Sequence, residues 1–156
     1  MSVQVGQMAP EIELYSDEHA LFKLSDLRGE KNVVLLFFPA AFTGVCTTEL
    51  NTVSNDIAEY GTDTQVVAIS TDTVFSQGEF KKVNGFVFPL LSDHNATVSA
   101  AYGAKYNNDF TDMKFDRIAK RSAFVIDKEG KIAYAEVLEN AGEIPNLDAV
   151  KSALKG

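Results

Sequence analysis

The sequence is poor in cysteine, histidine and tryptophan. Its 156 residues include one cysteine, two histidines, four prolines and no tryptophan. A single cysteine cannot form a disulfide within the chain, which excludes the disulfide-rich secreted domains and predicts a reducing compartment. Two histidines and one cysteine at these spacings match no metal site that we can identify. We therefore expect no metal and no cofactor.

Positive charge is also scarce. The 14 lysines and arginines are outnumbered by 22 aspartates and glutamates, which gives a formal net charge of -8. Such a chain is a poor candidate for binding nucleic acid through phosphates, and it has no basic cluster for an anionic membrane. No run approaches the roughly 18 apolar residues of a membrane span, and no signal-peptide core is visible. We expect a cytoplasmic protein with no nucleic-acid or membrane partner.

What is present suits one globular domain over residues 1–156. Hydrophobic residues make up 46% of the chain and charged residues 23%, and this length allows a sizeable core. Strand patterns alternate with helix patterns, and the last two strands form a hairpin, so we predict an α/β fold with a central mixed β-sheet flanked by helices. The predicted order is an N-terminal β-hairpin (11–23), a strand (33–38), a helix from Cys46 to about Tyr60, a strand (66–70), a helix (73–85), a strand (88–92), a short helix (96–102), a loop (107–120), two strands (122–126 and 132–137) and a final helix from Pro145 or Asn146.

The lone cysteine lies between a buried strand and a helix. The apolar run 33–38 predicts a strand covered on both faces, and helical spacing begins after Cys46. The start of a helix offers unpaired backbone N–H groups and the positive end of the helix dipole. Both favour a thiolate over a thiol, so this position is suited to a reactive cysteine.

Two motifs identify a family. Pro39, Thr43 and Cys46 form Pro-x-x-x-Thr-x-x-Cys, and Arg121 opens an Arg-x-x-Phe-x-Ile-Asp strand. Together they resemble the peroxiredoxins, the alkyl hydroperoxide reductase and thiol-specific antioxidant family, and the similarity runs from about residue 3 to 154. The sequence around Cys46 resembles that of the AhpE-like subgroup.

The resemblance implies a thioredoxin-like fold and an antioxidant peroxidase in cell redox homeostasis. It would be an oxidoreductase that reduces hydrogen peroxide, organic hydroperoxides or both. Cys46 would be the redox-active nucleophile and become a sulfenic acid. Arg121 would hold a permanent positive charge beside the sulfur and the peroxide oxygens. The hydroxyl of Thr43 would accept from the peroxide and donate to the sulfur or an oxygen.

Three residues are expected to support this centre. Pro39 would shield the sulfur from water, and Val45 would offer a backbone N–H group at the helix start. Glu49 would orient an arginine, although its negative charge works against the thiolate. Thr43 stands where thioredoxins carry the first cysteine of Cys-x-x-Cys, so dithiol oxidoreductase chemistry is not available. Most peroxiredoxins carry a second, resolving cysteine and this chain has none, so it resembles a one-Cys member. An external thiol must then reduce the sulfenic acid, and a thioredoxin-like protein, a glutaredoxin-like protein and a small thiol all remain open. The family also implies a homodimer.

Other interpretations of the same residues remain. A free cysteine is often a buried apolar residue with no reactivity, Thr43 could only cap the helix, and Pro39 could only end the strand. Arg117, four residues before Arg121, is the alternative arginine. The alternative functions are a monothiol disulfide-exchange enzyme, a non-enzymatic redox sensor and a structural domain.

Overall fold

The computed structural model describes residues 3–155. Within them a five-stranded sheet is accompanied by a two-stranded hairpin. In chain order the elements are β1 (Glu13–Tyr15), β2 (Leu21–Lys23), a 3-10 turn (Leu24–Leu27), β3 (Asn32–Phe37), α1 (Gly44–Asn55), a second 3-10 turn (Ile57–Tyr60), β4 (Thr64–Ser70), α2 (Val74–Asn84), β5 (Leu90–Ser92), α3 (Thr97–Ala101), β6 (Ser122–Ile126), β7 (Ile132–Val137) and α4 (Leu147–Leu154).

The sheet has the strand order β5-β4-β3-β6-β7. Strands β3, β4 and β5 run parallel, and β6 and β7 pair antiparallel. The antiparallel hairpin of β1 and β2 precedes this sheet. The predicted mixed sheet, flanking helices and N-terminal hairpin are therefore confirmed.

The central strand β3 separates two apolar clusters. Val34 and Leu36 pack on one side with residues of α1, α2 and α4, and Cys46 belongs to this cluster. Val33 and Leu35 pack on the other side, against residues near the hairpin and α3. Because side chains alternate along a strand, burial on both faces requires the unbroken apolar run that the sequence shows.

The first helix is shorter than predicted. The spacing of apolar residues predicts a helix up to Tyr60, but α1 ends at Asn55 and residues 57–60 form a 3-10 turn. The break falls in Ser-Asn-Asp, whose short polar side chains compete with helical hydrogen bonds. Ile57 and Tyr60 still reach the core, so the apolar spacing was right although the conformation was not.

The segment predicted as a loop contains two isolated antiparallel bridges. Lys105 pairs with Ala119, and Phe110 pairs with Phe115. The bridges fold this segment back on itself and bring one of its aromatic residues to the candidate active site. None of the helices within residues 3–155 combines the length and apolar character that crossing a membrane requires.

Candidate active site

The connection from β3 to α1 places Cys46 in the third position of the helix. Two contacts hold this connection: Ala41 N–H donates to Asp72 Oδ2 at 2.9 Å, and the ring of Phe42 lies 5.1 Å from that of Phe80. Phe42 has a φ of 63°, a left-handed conformation that costs energy for a residue with a side chain. The turn is therefore held by its contacts rather than by local preference.

Cys46 is buried with its thiol at the start of α1. The residue is 1% exposed, and the first turn of the helix contains no acidic residue. The first N–H groups of a helix have no partner in the preceding turn, and they carry partial positive charge. The surroundings of the sulfur on this side favour the anion.

Arg121 reaches the sulfur from the neighbouring strand. It directly precedes β6, where Ser122 pairs with Phe37 at the end of β3. Its Nη2 donates to Cys46 Sγ at 3.2 Å, and the side chain is 2% exposed. Burial works against the charge of Arg121, but Cys46 and Glu49 outweigh it and raise the pKa of the guanidinium above its ordinary value.

A backbone carbonyl holds the same guanidinium from the other side. Arg121 Nε and Nη2 donate to Ala141 O at 3.2 and 3.0 Å. Ala141 lies between β7 and α4, in a stretch where the sequence predicted no site residue. No side-chain pattern marks a carbonyl ligand, so sequence reasoning had no signal for this contact.

Glu49 completes the surroundings of Arg121. Its Oε1 accepts from Arg121 Nη1 at 2.8 Å. Its Oε2 is buried and has no hydrogen-bond partner among residues 3–155. Burial raises the pKa of Glu49 to about 7, against the opposing charge and hydrogen bond of Arg121. The structure thus brings Cys46, Glu49 and Arg121 together around one positive charge.

Thr43 and Pro39 lie at the mouth of the site. Thr43 is the residue before α1, but its side chain makes no capping hydrogen bond with the helix. Its hydroxyl donates to Ala40 O at 2.7 Å instead. A hydroxyl whose proton is already engaged presents its lone pairs, so it is set to accept rather than to donate. Pro39 is buried beside it.

The thiol faces a cavity of about 220 Å³ with largely apolar walls. The lining residues include the predicted Pro39, Thr43, Val45, Cys46 and Arg121; Ala40, Gly44, Phe110 and Ala141 are the additional ones. Phe110 comes from the bridged segment between α3 and β6. Its one sequence signal is that it is an aromatic residue within a polar stretch.

The remaining candidates lie elsewhere. Arg117 and Arg28 are exposed. His19 and His94 line a separate surface groove, and His94 Nδ1 lies 3.1 Å from Thr71 O. Among residues 3–155 no group of three or more histidine, cysteine, aspartate or glutamate side chains is arranged to hold a metal ion.

Comparison with known proteins identifies the family of this chain. The model of the AhpC/TSA family matches residues 5–135. Alkyl hydroperoxide reductase E of Mycobacterium tuberculosis is 37% identical over 145 residues, which cover 91% of this chain and 90% of the relative. The putative peroxiredoxin bcp of Coxiella burnetii is 37% identical over 136 residues, which cover 85% of this chain and 87% of the relative.

Solved structures give the same result. The crystal structure of peroxidoxin BcpB from Mycobacterium tuberculosis matches with a TM-score of 0.84 and 31% identity, covering 98% of this chain and 97% of that one. The peroxiredoxin-like protein from Aquifex aeolicus matches with a TM-score of 0.87 and 25% identity, covering 99% and 88%. The chain therefore belongs to the AhpC/TSA family and is a peroxiredoxin, a thiol-dependent peroxidase.

Proposed function

We propose that Cys46 is the peroxidatic nucleophile and that Arg121 and Thr43 act on the same peroxide molecule. The observation that carries this proposal is the buried guanidinium, 3.2 Å from the sulfur beside an apolar cavity. A disulfide-exchange enzyme needs a nucleophilic sulfur but has no need of a fixed cation where an oxyanion would leave. A peroxidase needs both.

The step is attack of the thiolate on an oxygen of the O–O bond. A sulfur–oxygen bond forms, the O–O bond breaks, and sulfur supplies two electrons, which leaves a sulfenic acid and an alkoxide or hydroxide that becomes an alcohol or water by taking up one proton. Arg121 and the N–H groups of Val45 and Cys46 stabilise the negative charge on the departing oxygen. Thr43 accepts from the peroxide O–H and thereby orients it. Pro39 keeps water from the sulfur.

We expect the cavity to accept organic hydroperoxides as well as hydrogen peroxide, because its walls are largely apolar. Ala40, Val45 and Phe110 offer apolar contact to an alkyl group, and burial of such a group contributes about 0.8 kcal/mol for each CH₂. We expect Phe110→Ala to slow an alkyl hydroperoxide more than hydrogen peroxide. Met113→Ala is the matched control, since Met113 is exposed on the same segment and does not line the cavity. Equal losses for both peroxides in Phe110→Ala would contradict this preference.

A thiol from outside the chain returns Cys46 to its reduced state. The chain has no other cysteine to form a resolving disulfide, so the sulfenic acid must form a mixed disulfide with the reductant. A thioredoxin-like protein, a glutaredoxin-like protein and a low-molecular-weight thiol are the candidates. Steady-state peroxide consumption with each reductant in turn identifies which one supports turnover.

Stopped-flow oxidation of the reduced protein tests the proposed function. Wild type should react with hydrogen peroxide and with an alkyl hydroperoxide much faster than a free thiol at the same pH, and Cys46→Ser should not react. Residual fast oxidation in Cys46→Ser would contradict the assignment of the nucleophile. A slow wild-type reaction would instead favour disulfide exchange, which disulfide substrates would then reveal.

We also propose a cytoplasmic homodimer in which residues 1–156 form one domain. The five-stranded sheet, whose strands come from residues 32–137, supports the single domain, and the need for a thiol reductant suits a reducing compartment. Two exposed apolar residues lie at α2: Phe42, in the active-site turn, packs against Phe80 of α2, and Phe75 belongs to α2 itself. Sedimentation should show that Phe75→Lys weakens the dimer, whereas Val5→Lys at another exposed apolar position does not. Equal sedimentation of the two variants would refute this interface.

A further inference from the structure

One positive charge serves two acidic groups in this site. Arg121 donates to Cys46 Sγ at 3.2 Å and to Glu49 Oε1 at 2.8 Å. Cys46 is 1% exposed and Glu49 is 0% exposed. If both acids were ionised, three buried groups would carry a net negative charge. Buried charge without compensation is strongly disfavoured.

No other cation near Glu49 can balance that excess. Arg121 is its one ion-pair partner among residues 3–155. Lys151 of α4 is engaged with Asp56 and Glu59, and its ammonium lies over the ring of Tyr60 at 5.5 Å. Tyr60, whose hydroxyl is buried with no hydrogen-bond partner in the described part of the chain, is the titratable group that the turn after α1 adds to this region.

The two oxygens of Glu49 have different surroundings. Oε1 accepts from Arg121, whereas Oε2 is buried without a donor. A proton on Oε2 removes the cost of an unsatisfied anionic oxygen and leaves the hydrogen bond from Arg121 to Oε1 intact. In agreement with this geometry, burial raises the pKa of Glu49 to about 7.

We propose that Cys46 and Glu49 share a single negative charge beside Arg121. Glu49 holds a proton while Cys46 is a thiolate, and it loses that proton when Cys46 is oxidised to the neutral sulfenic acid. Glu49 is a positioning residue, because it acts through Arg121 and does not touch the peroxide. The proposal rests on the proposed function and adds a proton balance to it.

The coupled step takes up no net proton from bulk water. Sulfur gives two electrons, the S–O bond forms, the O–O bond breaks, and the leaving oxygen takes up one proton while Glu49 releases one. The products are the sulfenic acid, an alcohol or water, and the Glu49 carboxylate. Arg121 therefore faces one anion before the step and one anion after it. The guanidinium keeps a partner when the thiolate is consumed.

Proton uptake in a single turnover tests this balance. Reduced protein at pH 7 with a pH-indicator dye receives one equivalent of hydrogen peroxide, and thiolate absorbance is recorded before and after mixing. Because a pKa of about 7 leaves about half of Glu49 protonated at pH 7, wild type should take up only about half a proton for each thiolate oxidised. Glu49→Gln, which cannot supply a proton, should take up as much as one proton for each thiolate oxidised. Glu79→Gln is the matched control, because it removes one exposed acid on α2. Equal uptake in wild type and Glu49→Gln would overturn the proposal.

Infrared difference spectra of the wild-type protein need no variant. Oxidation at pH 7 should remove a protonated-carboxyl band and create a carboxylate band, and Cys46→Ser should show neither change. Rapid oxidation without these bands would refute charge sharing but leave the peroxidase intact. Failure of Cys46 to react rapidly with peroxide would refute the proposed function instead, so the two failures are distinguishable.

Discussion

Replacing Arg121 with methionine removes the positive charge of the site and keeps much of the side-chain volume. The variant loses the hydrogen bond to Cys46 Sγ, the one to Glu49 and the two to the carbonyl of Ala141. Loss of one pre-placed donor to a developing oxyanion slows catalysis by roughly 10²–10³. Because Arg121 also favours the thiolate, we expect at least this loss in the second-order rate constant for peroxide.

Stopped-flow kinetics measures that loss, and Arg117→Met is the matched control. Arg117 has the same charge, lies four residues earlier and is exposed, so its replacement should leave the rate within about twofold, as is usual for an exposed charge. A larger effect in Arg117→Met than in Arg121→Met would refute the assignment of the arginine.

The same variant should have a characteristic pH dependence of stability. Burial is the largest influence on the pKa of Glu49, and Arg121 supplies the influences that oppose it. Removing Arg121 therefore raises this pKa further above about 7. Above pH 7 the folded variant keeps a proton that the unfolded chain has lost, so its stability falls as pH rises. In the wild-type protein Glu49 ionises near pH 7, so at higher pH the stability of the wild type no longer depends on this proton.

One proton corresponds to a slope of about 1.4 kcal/mol for each pH unit. Between pH 7 and 9, we expect the free energy of unfolding of Arg121→Met to fall relative to that of wild type by up to about 1.4 kcal/mol for each pH unit. Urea unfolding at intervals of pH measures it. Parallel curves for the two proteins would show that Glu49 does not titrate as the structure indicates.

Three further outcomes are expected. Thr43→Val removes the acceptor for the peroxide O–H, a neutral hydrogen bond of about 0.5–1.5 kcal/mol, and should slow attack roughly 2- to 13-fold; Thr48→Val, on the exposed side of α1, is the control in the same stopped-flow assay, and equal rates would contradict the role of Thr43. Glu49 has a raised pKa in the folded state, so wild-type stability should fall by about 3 kcal/mol as pH rises from 4.5 to about 7. Urea unfolding of Glu49→Gln should not show this fall. The same pH profile in both proteins would contradict the raised pKa of Glu49. Excess peroxide should convert Cys46 to sulfinic acid, seen as two added oxygens in the intact mass, and a stable single-oxygen adduct would be the contrary result.

The sequence was sufficient to predict most of the fold and to name Arg121, which contacts the sulfur. The apolar run of β3 and the capping pattern of α2 are local signals, and Thr73 does accept a hydrogen bond from Ser76 N–H. Arg121 was predicted from a motif, and the pairing of β3 with β6 supplies the physical reason for its proximity to Cys46. Signals that act along one strand or one helix turn are readable without coordinates.

What escaped prediction depends on contacts between distant segments. Ala141 acts through its carbonyl, and every residue has one. Phe110 reaches the cavity through a bridge to Phe115 that no periodicity announces. Glu49 was expected to orient an arginine, and it does accept from Arg121, but the sequence carries no signal for whether its carboxyl group is ionised. Whether it is ionised depends on burial, and burial emerges only when α1 packs against the sheet.

The pairing of β3 with β6 has a consequence for the newly made chain. Cys46 and Arg121 are 75 residues apart in sequence, and their proximity depends on the register that places Phe37 opposite Ser122. A slip of one residue would turn every side chain of the slipped strand to the opposite face of the sheet. During synthesis Cys46 leaves the ribosome well before Arg121. We therefore expect any reactivity that depends on Arg121 to arise only when the central strands pair.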